Sequence, residues 1–370
     1  MSLSWAMVNI LLVIYAATFE VQALHGTMWS VIGLSRLLAE IPGGILVDRV
    51  GCKPVIGGGF VLIIVSYIRY ASAQTVVDIL LASFLVGAGF ALSAIGLMVQ
   101  ATYYIPRNET VRYMGILNGS MMASNIVGPT MGSVIAEYYE LRTPFIASAL
   151  TVFIALLIIL RVRSPPKIEK REKGGMDMLR DYRMFIRNKL YLPLFFVSFL
   201  FSLIGWGFRS IVLPTYGKDI IALTIAQIGL LSSITSSVLF LEQFFISGIM
   251  ERKISRRILV TIGLLIYGGA IYSFSIFSDF YSLAIISAIL GIGLGIITPS
   301  LEAIWIDITR IEERGRVYGL SIAFFDLGQV FWSMIIINIA NINPQLPFYT
   351  IVSVTLLTTL ILLIVLKKTR

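Results

Sequence analysis

The sequence contains few charged residues and almost no cysteine or histidine. Only 13% of its 370 residues are Asp, Glu, Lys or Arg, whereas 57% are hydrophobic. A soluble domain has about 25% charged residues, so this chain cannot build a water-facing surface of ordinary polarity. The single cysteine, Cys52, excludes an internal disulfide, and the single histidine, His25, leaves no Cys/His set for a metal. We therefore expect neither a metal site nor a cofactor.

Long apolar stretches fill most of the chain. A run of about 20 apolar residues crosses a bilayer as a helix, and we predict twelve such spans, the first at 3–18 and the last at 346–366. The sequence thus indicates an all-α polytopic protein embedded in a lipid bilayer. The first span falls below the usual length of about 17–25 residues, so we expect it to be short or truncated. A misassigned start codon and a real half-length helix are both open explanations.

The basic residues lie mainly on one side of the predicted spans. The net charge is +9. Most Lys and Arg fall in loops on one side of the predicted membrane, the side that contains the loop after residue 46. This asymmetry is the positive-inside pattern of a multi-pass protein. It predicts a cell-membrane protein with both termini cytoplasmic and argues against a nucleic-acid partner. The sequence leaves the oligomeric state open, and a monomer is the expectation.

The second half of the chain repeats the first. The segment "GGILVDRVGCKP" (43–54) has a counterpart in "SGIMERKISRR" (247–257), and "LVGAGFA" (85–91) has one in "LGIGLG" (290–295). The offset is 203 residues for the first pair and 204 for the second. We therefore predict a six-helix bundle at 1–161, a cytoplasmic linker with an interfacial helix at 162–190, and a second six-helix bundle at 191–370.

The loop at 43–54 carries charges between two apolar spans. Asp48 lies at the C-terminal end of a helix, where the helix dipole disfavours a negative charge. It therefore needs a partner, such as an arginine or the N-terminus of another helix. We interpret the loop as a charged latch, with Gly44 and Gly51 allowing close packing and a tight reversal.

This loop resembles a family signature. The pattern Gly44-x-Leu46-x-Asp48-Arg49-x-Gly51-x-Lys53 is similar to the loop between the second and third spans of the major facilitator superfamily. The resemblance implies that Asp48 and Arg49 stabilise the outward-facing state, in part through the eleventh helix. The full set of latch candidates is Gly44, Asp48, Arg49, Gly51, Lys53 and, in the second copy, Glu251 and Arg252.

Two further segments match family motifs in part. "GSMMASNIVGPTMG" (119–132) resembles the fifth-span motif of family exporters through Gly119, Gly128, Pro129 and Gly132. Helix packing explains the same glycines, because small residues let membrane helices approach closely. The fourth-span motif has an arginine four residues before Gly87, where this sequence has Ser83. That arginine is associated with proton coupling in the family.

Ionisable side chains inside spans are costly and are usually functional or paired. The substrate or coupling candidates are Arg36, Glu40, Arg209, Glu242, Glu302 and Asp326. Arg36 and Glu40 share a helix face and can form an ion pair within it. Alternatively, Arg36 pairs with Asp326, which lies at the same depth of the eleventh span.

These features predict a secondary transporter that exports a small molecule by alternating access, of the drug or metabolite efflux type, with a proton or another ion as a candidate coupling partner. Two alternatives stay open: import of a small organic solute, and a transporter-like sensor that binds without transport. An enzyme is not expected, because no single span carries a cluster of catalytic groups.

Overall fold

A computed structural model describes residues 1–19, 21, 24–104, 110–162, 184–188, 190–245, 250, 253–309 and 313–365. These residues form helices and short connections, and no strand occurs among them. Most of the predicted linker lies outside the described residues, as do Glu251 and Arg252; of its interfacial helix only the last part is described, and residues 184–187 are helical.

We number twelve helices along the described chain. In the first half they are α1 Ser2–Ala17, α2 Leu24–Val50, α3 Cys52–Ser72, α4 Val76–Tyr104, α5 Thr110–Tyr138 and α6 Thr143–Arg161. In the second half they are α7 Tyr191–Asp219, α8 Ile225–Phe245, α9 Arg256–Phe274, α10 Phe280–Ile308, α11 Arg314–Ile342 and α12 Leu346–Val365.

Most of these helices can cross a membrane. Among the described residues, nine are long and apolar enough, namely α3, α4 and α6 to α12. Helix α2 is a tenth if its two parts, Leu24–Glu40 and Pro42–Val50, form one span across their 43° bend. Helix α1 has only 16 residues, and α5 carries many Gly, Ser and Asn residues. The multi-span fold is therefore confirmed, while spanning by α1 and α5 stays a prediction.

The chain divides into two compact units. The first comprises residues 1–171 with 224–229, and the second comprises 172–223 with 230–370. The most extensive helix pairs of the first unit are α3 with α4, α2 with α4, α1 with α5 and α3 with α6. Those of the second are α9 with α10, α9 with α12 and α7 with α11. The domain boundaries at 161 and 191 stay a prediction.

The repeat is visible in glycine contacts between helices. A Cβ atom at Gly59 of α3 would lie 2.7 Å from the carbonyl oxygen of Gly89 in α4. In the second unit, a Cβ atom at Gly263 of α9 would lie 3.1 Å from the carbonyl oxygen of Gly293 in α10. Both residues of the second pair follow their counterparts by 204 positions, so the repeated glycines mark the same close crossing in each unit.

Helix α7 changes its winding in the middle. Tyr191–Phe201 and Leu213–Asp219 are α-helical, whereas Ser202–Val212 is a π-helix. The hydroxyl of Tyr267 on α9 donates to the carbonyl oxygen of Ile204 over 2.6 Å, in a buried position. π-Helical segments are rare and often occur at functional sites, and this one carries Arg209.

Candidate functional site

The loop between α2 and α3 has the expected turn. Gly51 has φ = 92°, a conformation that suits glycine because it has no Cβ atom. Two residues later, the Nζ atom of Lys53 donates to the carbonyl oxygens of Leu160, over 2.5 Å, and Val162, over 3.1 Å. Lys53 thus binds the C-terminal end of α6, where free carbonyls attract a cation.

Asp48 and Arg49 are exposed in the last turn of α2. The Asp48 carboxylate makes no hydrogen bond or ion pair with the described residues of the first unit. Its position at an unfavourable helix end agrees with the need for a partner, and the identity of that partner stays a prediction.

The two glycines before the loop differ in their contacts with α4. Among the described residues, a Cβ atom at Gly44 would have no neighbour within 4 Å, whereas one at Gly43 would lie 3.0 Å from Leu92 and 3.1 Å from Ile95 of α4. Consecutive helical residues point about 100° apart, so only one of the two glycines can face α4. Gly43 is the residue that packs on α4, and the packing role of Gly44 stays a prediction.

Among the described residues, the fifth-span motif packs closely at its C-terminal end. A Cβ atom at Gly128 or Gly132 would collide with Ala6 or with the backbone of Met7 in α1. At Gly119 a Cβ atom would have no described neighbour within 4 Å. Gly128 and Gly132 thus allow α5 to lie directly on α1, while any role of Gly119 stays a prediction. Pro129 lies within α5.

The candidate charges of the second and eleventh helices differ in burial. Arg36 and Glu40 are half-buried on α2, just before its bend at Pro42. Asp326 on α11 is fully buried in the second unit, at 0% exposure. The proposed pairing of Arg36, with either Glu40 or Asp326, stays a prediction.

Arg209 binds hydroxyl groups of α8. Its Nη2 atom donates to Ser236 Oγ over 2.8 Å and approaches Ser232 Oγ at 3.5 Å. Among the described residues no carboxylate lies within ion-pair distance of this guanidinium. Within the described part of the chain, Arg209 is thus held by hydroxyl groups, and its role as a substrate or coupling residue stays a prediction.

Glu242 is a buried carboxylate on the same helix. The residue is only 2% exposed, and neither carboxylate oxygen has a hydrogen-bond partner in the described structure. A Cβ atom at Gly295 of α10 would collide with Glu242 Oε2, so the side chain lies directly against that glycine. Glu242 is six residues from Ser236, a rise of about 9 Å along α8.

Glu302 lies in a cleft of the second unit. A cavity of about 220 Å³ between α7, α10 and α11 and a second of about 260 Å³ between α10 and α11 are both lined by Glu302, Trp305 and Tyr318. We call these two adjoining cavities the Glu302 cleft. Glu302 itself is exposed, unlike Glu242.

Several of these features were not predicted from the sequence. The π-helical segment has no sequence signal beyond Gly205 and Gly207, which are poor helix formers. The hydroxyl partners of Arg209 had a stronger signal, because the run "SSITSS" (232–237) is unusually polar for a span. The aromatic residues of the Glu302 cleft could not be distinguished from core residues without the fold.

Comparison with known families gives a match along the chain. The family profile described as Major Facilitator Superfamily matches residues 1–224 and 194–370.

Relatives with known names are distant in sequence. The chain is 25% identical to the human synaptic vesicular amine transporter over 289 residues, which are 77% of this chain and 55% of that protein. It is 24% identical to the human chromaffin granule amine transporter over 82% of this chain and 57% of that one. It is 23% identical to Multidrug resistance protein 1 of Bacillus subtilis over 88% of this chain and 82% of that one. The chain thus spans little more than half the length of the two amine transporters.

Solved structures share the fold. A POT family transporter in complex with 5-aminolevulinic acid superposes with a TM-score of 0.80 at 16% identity, covering 99% of this chain and 93% of that one. A nucleoside transporter superposes with a TM-score of 0.80 at 14% identity, covering 98% and 97%.

Proposed function

The chain belongs to the Major Facilitator Superfamily, and on that basis we propose that it exports a small organic amine in exchange for protons. The amine is carried in its cationic form. Transport proceeds by alternating access. The protein lies in the cell membrane, with both termini in the cytoplasm, as the positive-inside asymmetry predicts.

The observation that carries the proposal is the environment of Glu242. Both of its carboxylate oxygens are buried without a hydrogen-bond partner among the described residues. An ionised carboxylate is costly in such surroundings unless it is paired. A group of this kind is suited to bind either a proton or a cationic substrate, one replacing the other.

The ionisable groups near Glu242 do not neutralise it in the described structure. On α10, against which it packs, Glu302 is seven residues beyond Gly295, or about 10 Å along the axis. On α7, the Arg209 guanidinium is bound to Ser236, about 9 Å along α8 from Glu242. Neither group is therefore a counter-charge for Glu242 in the described structure.

The residue at the position of the family's coupling arginine supports the choice of Glu242 as the proton-binding group. Ser83 occupies that position, and its hydroxyl lies 2.7 Å from the Tyr70 hydroxyl and donates to the Ile79 carbonyl over 2.7 Å. This neutral group cannot perform the arginine's electrostatic role, so another residue must provide any coupling.

The direction and the substrate class rest on the relatives. Two of them are named as amine transporters and one as a multidrug resistance protein. The fifth-span segment, which resembles in part a motif of family exporters, supports the outward direction, and its Gly128 and Gly132 pack on α1.

Flux in everted membrane vesicles tests the proposal. The probe is trimethyl(2-phenylethyl)ammonium, which has a permanent charge and so cannot accumulate by passive diffusion of a neutral base. We expect vesicles with an acidic interior to accumulate it when they contain the wild-type protein. Glu242→Gln should abolish the dependence on the pH gradient.

The matched control is Glu140→Gln, because Glu140 is exposed in the connection between α5 and α6. Glu140→Gln should transport the probe as the wild type does. Absence of accumulation by the wild type would contradict amine export, and binding without flux would favour a sensor. Normal pH-driven flux in Glu242→Gln would show that Glu242 does not carry the proton.

A further inference from the structure

The Glu302 cleft is a second acidic site in the second unit. Gly295, the residue against which Glu242 packs, precedes Glu302 by seven positions on α10, a rise of about 10 Å. The cleft lies six residues before the C-terminal end of that helix. It is therefore separate from the buried carboxylate that the proposed exchange uses.

The walls of the cleft are aromatic and held in place by stacking. Trp305 stacks on Phe195 with ring centroids 5.4 Å apart, and Phe195 stacks on Phe324 at 5.2 Å. Tyr318 and Phe325 of α11 line the opposite side. A hydrogen bond of 2.8 Å between Ser198 and Ser321 ties α7 to α11 beside these rings.

The charge in the cleft is not neutralised within the described part of the chain. Among the described residues, no lysine or arginine side chain lies within ion-pair distance of the Glu302 carboxylate. The side chain is exposed to both cavities. Their volumes of about 220 and 260 Å³ each lie just below the range of about 300–1,000 Å³ that is typical of small-molecule sites.

We propose that the Glu302 cleft binds the ammonium group of an organic cation, with Glu302 as the counter-charge and Trp305 and Tyr318 as the aromatic wall. A cation is attracted to the faces of aromatic rings, and tryptophan is the strongest of them. An adjacent carboxylate adds Coulomb attraction that an apolar, partly dehydrated cleft screens less than water does.

The location suggests when the site is used. In the predicted topology the C-terminal end of α10 is on the cytoplasmic side, where an exported substrate enters. The cleft is thus a capture site that precedes the buried carboxylate. This order of events rests on the proposed function, whereas binding in the cleft does not.

Binding by the purified full-length protein tests the inference. Titration calorimetry in nanodiscs would measure the affinity for trimethyl(2-phenylethyl)ammonium and for neutral 2-phenylethanol. We expect Glu302→Gln to weaken binding of the cation about tenfold, the effect of losing one partly dehydrated charge contact. Binding of the alcohol should not change.

Three variants make the result specific. Asp307→Asn removes a carboxylate from the same end of α10 that is paired with Arg256, and it should bind the cation within twofold of the wild type. Glu302→Asp keeps the charge and should retain more affinity than Glu302→Gln. Trp305→Leu should weaken binding of the cation more than binding of the alcohol.

The two proposals fail in different ways. An unchanged affinity of Glu302→Gln for the cation would contradict a site at Glu302, even if the wild type shows normal flux. So would a loss of all cation binding in Glu242→Gln but not in Glu302→Gln. A tenfold effect of Glu302→Gln in a protein without pH-driven flux would support the cleft and contradict the exporter. Equal losses for Glu302→Gln and Asp307→Asn would show a general charge effect and overturn the inference.

Discussion

Arg209 on α7 donates a hydrogen bond of 2.8 Å to Ser236 on α8. The guanidinium comes from a π-helical segment, and among the described residues its acceptors are hydroxyl groups rather than a carboxylate. Hydroxyl groups do not neutralise the charge of a guanidinium. The second unit thus contains this charge and, about 9 Å along α8, the buried carboxylate of Glu242.

We expect Ser236→Ala to destabilise the protein by about 1–3 kcal/mol, because a buried donor loses its acceptor. Thermal unfolding in detergent measures the change. Ser237→Ala is the matched control, since that hydroxyl only donates to the Ser233 carbonyl within α8. Equal unfolding temperatures for the two variants would mean that the bond to Arg209 does not contribute to stability.

Neighbouring glycines of α3 give a second test. Gly59→Ala should destabilise the first unit by about 1–3 kcal/mol, because the new methyl group overpacks the contact with α4. A Cβ atom there would lie 2.7 Å from the Gly89 carbonyl and 2.8 Å from the Ser93 amide nitrogen. At Gly58 a Cβ atom has no neighbour within 4 Å among the described residues, so Gly58→Ala should be neutral or stabilising by up to about 1 kcal/mol.

The comparison is made by thermal unfolding of both variants at one detergent concentration. Similar effects of the two substitutions would contradict the close crossing of α3 and α4. The same design applies in the second unit, with Gly263→Ala expected to destabilise and Gly269→Ala as its control.

Asp279, directly before α10, should make the stability of the protein depend on pH. The Asp279 carboxylate accepts a hydrogen bond from the side chain of Ser282 and another, of 2.8 Å, from the backbone N–H of Ser282. These bonds lower the pKa of Asp279. The folded state therefore favours the ionised form, and the stabilisation is present above the ordinary pKa of about 3.9. It is lost as the pH falls through the lower pKa of the folded state.

We therefore expect Asp279→Ala to lower the unfolding temperature by a constant amount near neutral pH. The difference from the wild type should shrink as the pH falls below about 4. A difference that grows on acidification would have the wrong sign for a helix cap that acts through its ionised carboxylate.

The sequence predicts much of the fold because the repeat and the glycine pattern are local signals. Gly87, Gly89, Gly291 and Gly293 were matched from sequence alone, and each lies at a close helix crossing. The family resemblance, carried by the loop around Asp48 and Gly51, is likewise confirmed. The turn at Gly51 follows directly from its position between two apolar spans.

The site is less predictable because it depends on contacts between distant parts of the chain. Glu242 and Glu302 were both candidates, but the sequence does not reveal that one is buried against Gly295 and the other is exposed in an aromatic cleft. Gly43 and Gly44 differ only in helix phase relative to α4. The π-helical winding around Arg209 depends on packing that composition does not encode.

The central claim is that a cationic substrate and a proton replace each other at Glu242. The most direct measurement adds trimethyl(2-phenylethyl)ammonium to the purified protein in a weakly buffered solution and records the protons released. The probe has no proton to lose, so any release comes from the protein. We predict release from the wild type and from Glu140→Gln, and none from Glu242→Gln. Substrate binding without proton release by the wild type, or equal release by Glu242→Gln, would contradict the exchange.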